Sequence, residues 1–245
     1  MTDDVDVAEL FHENTSIWPS QVGVADEPLS QRDEQFARFV LPSVEMVNSC
    51  GLEQAIMQQR PQRSFERSAN LSLRVLSRLL FFSSRYNHSG NSAEVRQVEL
   101  YPVVFRVAEL PAGVYRYAAQ DHSLELVRSG EFGDRLVNWM LNQSFIADAC
   151  VVFMLVGRMD RIAHGHGERG YRYMLMEAGH IAQNCCLVSA GMGLGSITLG
   201  GFVDSAVNQL LCVDGITQVS LYGVAVGVLQ NNDQQAAGTL RSDRR

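Results

Sequence analysis

Apolar positions change their spacing several times along this chain, and each change marks an element. In LSLRVLSRLLFFSSR (71–85), Leu71, Val75, Leu76, Leu79 and Leu80 recur at helical steps, which predicts an amphipathic helix. VELYPVVFRV (98–107) is β-branched and aromatic and predicts a strand, with Pro102 at an edge or bulge because proline donates no ladder N–H. GVYRYAAQDHSLELV (113–127) alternates on both sides of AQDH and predicts a hairpin. Residues 133–145 have a helical pattern, and ACVVFMLVG (149–157) is a strand apolar on both faces. GHGERG (165–170) holds three glycines in six residues and predicts irregular backbone. From Tyr171 to about Ala190 the spacing is helical again, with Tyr173, Met176, His180, Asn184 and Leu187 on one stripe. Ala178, Gly179, Ala182, Ser189 and Ala190 keep that helix slim, as in helices packed against others. DSAVNQLLCV (204–213) predicts a helix with Asp204 as N-cap, and TQVSLYGVAVGV (217–228) a last buried strand. The order of elements implies an α+β or mixed α/β domain without an internal repeat.

The ends have a different pattern. Residues 1–50 form an arm in which DVAELFHENTS (6–16) and LSQRDEQFARFVLPS (29–43) are short helical stretches, interrupted by Pro19, Pro28 and Pro42. Residues 51–229 are the body, and 230–245 a polar tail. A chain of 245 residues that is 46% apolar can bury one substantial core. Its charge of −7 is uneven, since residues 1–34 hold nine acids and one arginine and the remainder carries +1. An acidic arm on a near-neutral body argues against nucleic acid as a partner. The segment His180–Val203 is long and uncharged, but Gln183, Asn184 and the run GMGLGSITLGG suit a helix end, a loop and a strand better than a membrane span. The acidic N-terminus does not resemble a signal peptide. Five cysteines without a CxxC pair suit thiols in a reducing cytoplasm.

All 20 cationic side chains are arginine, which excludes lysine chemistry. Candidate chemistry gathers in AHGHGERGYRYMLMEAGHIAQN (163–184), with His164, His166 and His180. The histidine spacing lacks the partners of a zinc site, so no metal is expected. GMGLGS (191–196) follows a helix rather than a strand, which excludes a dinucleotide fingerprint. Arg60 and Arg63, three apart in QQRPQRSFERSANLS (58–72), could converge on one phosphate.

Together these segments resemble the SagB-type, azoline-oxidising dehydrogenases of the flavin-dependent nitroreductase superfamily. FHENTS (11–16) looks like that family's histidine-containing opening. RPQRSF (60–65) resembles its flavin-phosphate motif, with Pro61 where serine is usual. VELYPVVFRVAELPAGVYRYAAQDHSLELV (98–127) and NQSFIADACVVFMLVGRM (142–159) are similar to the strands and the glutamine-containing helix that follow. The stretch from Glu168 to Gly227 resembles the family almost continuously, through Arg-Gly-Tyr-Arg, Glu-Ala-Gly-His and Gly-Gly-Phe.

The resemblance implies an α+β, nitroreductase-like mixed β-sheet sandwiched by helices, in an interlocked homodimer with FMN at the subunit interface. It implies oxidation of thiazoline or oxazoline rings in a ribosomal peptide, beside a cyclodehydratase. Two motifs differ. Gly165 and His166 stand where the family has a Lys-Tyr pair, and GNSA (90–93) where it has a Pro-Ser-Gly-Gly flavin loop. The catalytic candidates are therefore His166 as base, His164 beside it and Tyr171 as orienting donor. Arg60 and Arg63 would take the flavin phosphate, Asn91 and Ser92 the ribityl side, and Gly200 and Gly201 the ring through backbone N–H groups, with Gln143 in support. Two alternatives remain: an NAD(P)H-driven reductase of nitro groups or activated alkenes, and a flavin-free paralogue that binds a partner.

Overall fold

The structure is a computed structural model that describes residues 7–23, 37–46, 50–85, 96–161 and 167–230. Its frame is a seven-stranded sheet. In chain order the strands are β1 (Arg38–Val40), β2 (Val98–Val104), β3 (Gly113–Ala118), β4 (Ser123–Ser129), β5 (Val151–Arg158), β6 (Leu194–Leu199) and β7 (Gln218–Val228). Across the sheet they run β1-β4-β3-β2-β5-β7-β6. The fold is α+β as the sequence implies, but every strand pair is antiparallel where a mixed sheet was expected. Among the described residues, parallel contacts occur only as isolated bridges, such as Pro61 with Ser196 and Ile17 with Val203.

Pro102, expected at an edge or bulge, lies within a central strand opposite Phe153 of β5. The position is tolerated because pairing with β3 is confined to Val103 and Val104, beyond the proline. The neighbouring β3 also shifts register between Val114 and Tyr115.

Alternation along β5 divides the core in two. Phe153 and Leu155 face a cluster built with Leu76, Leu79 and Leu80 of α4 (Leu73–Ser83) and with the buried face of α6 (Arg169–Gly191). Val152, Met154 and Val156 face the other cluster, with Leu136 and Trp139 of α5 (Gly133–Trp139) and Val207, Leu210 and Leu211 of α7 (Asp204–Leu211). Each fully buried leucine of this kind contributes about 1.5–3 kcal/mol. Helix α6 lies close on the sheet because Gly157 leaves room, since a Cβ there would stand 2.5 Å from the Met174 sulfur.

Helix α6 covers the predicted span, extended by two residues at its start. Its inward face is Tyr171, Met174, Ala178, Ile181, Ala182, Cys185 and Ser189. The stripe from Tyr173 through Met176 to His180 points outward. It continues the exposed side chains Leu52, Ile56 and Met57 of α3 (Leu52–Gln58), a helix packed on α6.

Three other expectations change. The helix predicted over 133–145 closes at Trp139, where Leu141 and Asn142 both take φ of 58°, and a 3₁₀ turn Ser144–Asp148 follows. The helical pattern of 29–43 ends in the edge strand β1, which finds hydrogen-bonding partners along β4, while its start lies outside the described residues. Asp204 opens α7 but does not cap it; Val203 holds the cap position. Among the described residues all five cysteines are free thiols, and no helix is long and apolar enough to cross a membrane.

Candidate active site

The first helix, α1 (Val7–Thr15), is short and buries only Ala8, so its apolar contacts cannot hold it. Polar clasps to distant parts of the body do. The Glu168 carboxylate accepts the Ala8 N–H at 2.9 Å, satisfying a donor that the first turn of a helix leaves free. The Asp204 carboxylate accepts the Ile17 N–H at 2.8 Å, and the Asp204 N–H donates to the Ile17 carbonyl. His12 Nδ1 lies 3.3 Å from the Tyr171 hydroxyl, and the Phe11 ring meets Tyr171 edge-on at 5.9 Å.

Arm and body thereby enclose a cleft of about 290 Å³. The arm lines it with Phe11, His12, Thr15, Ser16 and Ile17. Facing them are Tyr171, Gly200, Phe202, Asp204 and Ser220 of the body. The Ser220 hydroxyl is buried and has no hydrogen-bond partner among the described residues.

Burial sets the protonation states of this cleft. It lowers the His12 pKa from 6.5, against the opposing charge of Glu13, so the imidazole is neutral at pH 7. Burial raises Tyr171, and the Asp204 charge raises it further, so the phenol keeps its proton. Burial also raises Asp204, partly offset by the backbone N–H groups of Ile17 and of Asp204 itself. A neutral base and a protonated hydroxyl therefore stand side by side.

A second feature lies along the open edge of β6. Residues 60–66 form a strap: Gln62 N–H donates to the Ser196 carbonyl at 3.0 Å, and Glu66 N–H to that of Val228 at 2.8 Å. Its anchor is Phe65, only 1% exposed. A Cβ at Gly227 would stand 2.8 Å from that ring and one at Gly195 3.0 Å, so both glycines are required for its approach. The anchored strap presents Arg60 and Arg63 at the surface, and neither pairs with a carboxylate among the described residues.

Gly200 and Gly201 form the turn between β6 and α7, with Gly200 on the cleft. A Cβ on Gly201 would come within 2.9 Å of the Leu141 side chain. Gln143 belongs to the turn carrying Leu141, and its amide nitrogen is bound by the Met140 carbonyl at 2.9 Å. Of the residues chosen from sequence, the structure therefore brings Tyr171 and Gly200 into one cleft, with Gly201 next to it. It sets Gln143 behind the turn and Arg60 and Arg63 on the strap. His164, His166, Asn91 and Ser92 lie outside the described residues. His12, Asp204 and Ser220 were not chosen. FHENTS contained the signal for His12, but a short amphipathic stretch gave no indication of what its polar side would face.

The sequence model of the Nitroreductase family matches residues 56–228, and the chain belongs to that family, whose members are generally flavin-dependent oxidoreductases. It is 32% identical over 177 residues to MJ1384 of Methanocaldococcus jannaschii, a protein named for the same family, covering 70% of this chain and 87% of that one. It is 28% identical over 171 residues to the trifolitoxin operon protein TfxC of Rhizobium leguminosarum bv. trifolii, covering 60% of this chain and 47% of TfxC. Among solved structures, one named for the family from Anabaena variabilis superposes with a TM-score of 0.70 at 23% identity, over 90% of this chain and 47% of its own. A chain of the E. coli microcin synthetase McbBCD complex with truncated pro-MccB17 bound superposes with a TM-score of 0.65 at 20% identity, over 92% of each chain. The chain thus spans about half the length of TfxC and of the Anabaena structure.

Proposed function

We propose that this protein is an FMN-dependent dehydrogenase that oxidises thiazoline or oxazoline rings in a ribosomal peptide or a related intermediate. The observation that carries the reading is the cleft at Gly200, where the arm sets a partly buried neutral imidazole beside a protonated phenol. Forming an azole removes a proton and a hydrogen with its electron pair from neighbouring ring carbons, so the site must hold a base and an electron acceptor. FMN, when bound, supplies the acceptor. The likeness to a protein of a toxin operon supports a role in natural-product formation.

The residues present fit FMN. Arg60 and Arg63 offer two guanidiniums free of carboxylate partners, the donor type suited to a phosphate, on a strap fixed by Phe65. Gly200 and Gly201 offer backbone without side chains next to the cleft. In this reading Tyr171 orients the chemistry, His166 with His164 beside it is the base that the resemblance offers, and Asn91, Ser92 and Gln143 are residues for the flavin. Two copies form a homodimer, supported by the exposed apolar side chains of α3 and α6, and a cyclodehydratase supplies the azoline.

The test is an absorption spectrum of the purified protein with identification of the released chromophore, followed by incubation with an azoline-containing peptide. Released FMN and loss of two hydrogens per ring are the expected results. A colourless protein that cannot be reconstituted with FMN overturns the reading. Rapid bleaching of bound flavin by NAD(P)H, with the azoline untouched, would favour instead a reductase of nitro groups or activated alkenes, the reading to which the likeness to MJ1384 points.

A further inference from the structure

We propose that His12, delivered by the N-terminal arm, is the base that takes the substrate's ring proton, with Tyr171 as its positioning residue; this rests on the azoline oxidation proposed above.

The argument begins with what else could serve. The chain contains no lysine, and its arginines stay protonated. Among the described histidines, His122 is engaged elsewhere. Its Nδ1 lies 2.7 Å from the Tyr117 hydroxyl and its Nε2 2.8 Å from the Ser77 hydroxyl. His180 is on the outward face of α6. Within the cleft, Asp204 is committed to the arm through Ile17. His12 remains.

Its geometry suits the task. When Nδ1–H donates to the Tyr171 oxygen, the Nε2 lone pair is bare, and no described residue engages Nε2. The contact holds the ring's orientation, and the tautomer with the proton on Nδ1 is the one that serves a general base at Nε2. The unpaired, buried Ser220 hydroxyl on the same cleft marks it as a place for a ligand with a polar atom. His12, Ser220 and Gly200 thus line one cleft of about 290 Å³.

The step balances as follows. The C–H bond at one saturated ring carbon breaks, its proton passes to His12 Nε2, and its electron pair becomes the second bond to the neighbouring ring carbon. That neighbour gives up a hydrogen with its electron pair to oxidised flavin, so the ring is oxidised by two electrons and the flavin reduced.

His12 also lies outside the segment that matches the family, residues 56–228. The arm therefore brings to a shared scaffold a histidine from outside the matched segment.

The test separates proton removal from electron transfer. The full-length FMN-loaded protein is photoreduced, which blocks oxidation, and incubated in D₂O with an azoline peptide. Mass spectrometry then reads deuterium entering the ring. Wild type is expected to exchange. His12→Gln should lose about 10²–10⁴-fold, the usual worth of a general base. Retained FMN binding and an unchanged melting temperature show that this variant is folded. In His12→Gly, added imidazole should restore exchange, a rescue that a purely structural role would not give. Tyr171→Phe should slow exchange less. Exchange in His12→Gln at the wild-type rate, with oxidation intact in both, overturns the assignment of His12 alone. A wild type that neither exchanges nor oxidises the ring overturns both this inference and the function beneath it.

Discussion

The strap at residues 60–66 is held by a ring, and the arm Val7–Ile17 is held by carboxylates. Phe65 fills a groove that two glycines keep clear, a contact insensitive to pH and salt. The arm has one buried residue and depends on Glu168, Asp204 and the His12–Tyr171 contact. Both present functional groups, but with different firmness. The difference suits the roles proposed for them, since a cofactor should stay while a peptide substrate must enter and leave. An element held at low free energy can open without unfolding the body.

The sharpest way to break this contrast is Phe65→Ala. It should cost about 3–5 kcal/mol of stability in chemical denaturation, as large aromatic truncations do. A loss below about 1 kcal/mol would mean that the strap is not anchored by its ring. Next come Arg60→Ala and Arg63→Ala. Each should weaken FMN binding by about 1.5–3 kcal/mol, the range for hydrogen bonds to charged groups, while riboflavin binding stays unchanged. A smaller effect follows at the arm. Asp204→Ala removes the acceptor of a part-buried N–H and should cost about 1–2 kcal/mol of arm docking, read by hydrogen exchange at Ile17. Asp204→Asn keeps an acceptor oxygen without the buried charge, and should leave the arm docked.

Of the arm and the strap, mild acidity should act on the arm, through two groups with opposite signs. The His12 pKa is lowered in the docked state, so its contribution is complete above the ordinary value of 6.5 and is lost as pH falls through the docked value. The Asp204 pKa is raised, so its contribution is complete below 3.8 and is lost as pH rises through its docked value. Lowering the pH from about 7.5 to 6 should therefore loosen residues 11–17 through His12, less so in His12→Gln, with no change at the strap. Limited proteolysis of the arm reads this directly. The smallest effect belongs to Asp121→Asn. Its ion pair with Arg38 of β1 is exposed on both sides and should be worth under about 1 kcal/mol, less in high salt.

The same contrast explains what the sequence revealed. Runs such as VVFMLV and LSRLL specify β5 and α4 because a strand buried on both faces and an amphipathic helix each have a distinctive spacing. RPQRSF was legible because a motif lies contiguous in the chain. The cleft was not, since His12, Tyr171, Asp204 and Ser220 come from four elements and meet only through the fold. Asp204 looked like a helix cap because an acid before an apolar run usually is one, and nothing local revealed that Ile17 would claim its carboxylate. Pro102 was read as an edge or bulge residue, and the sequence did not show that a central strand could leave it unpaired on one side, where pairing with β3 begins only at Val103.

The clasps of the arm also set a schedule. Ala8, His12 and Ile17 find their partners 160, 159 and 187 residues later in the chain. At roughly 5–20 residues per second, a ribosome adds the last of those partners on the order of 10–40 s after the first helix is made. Contacts so distant in sequence form late in folding. The strap's partners, Ser196 and Val228, are added just as late, so the flavin scaffold and the cleft alike wait until β7 has been made.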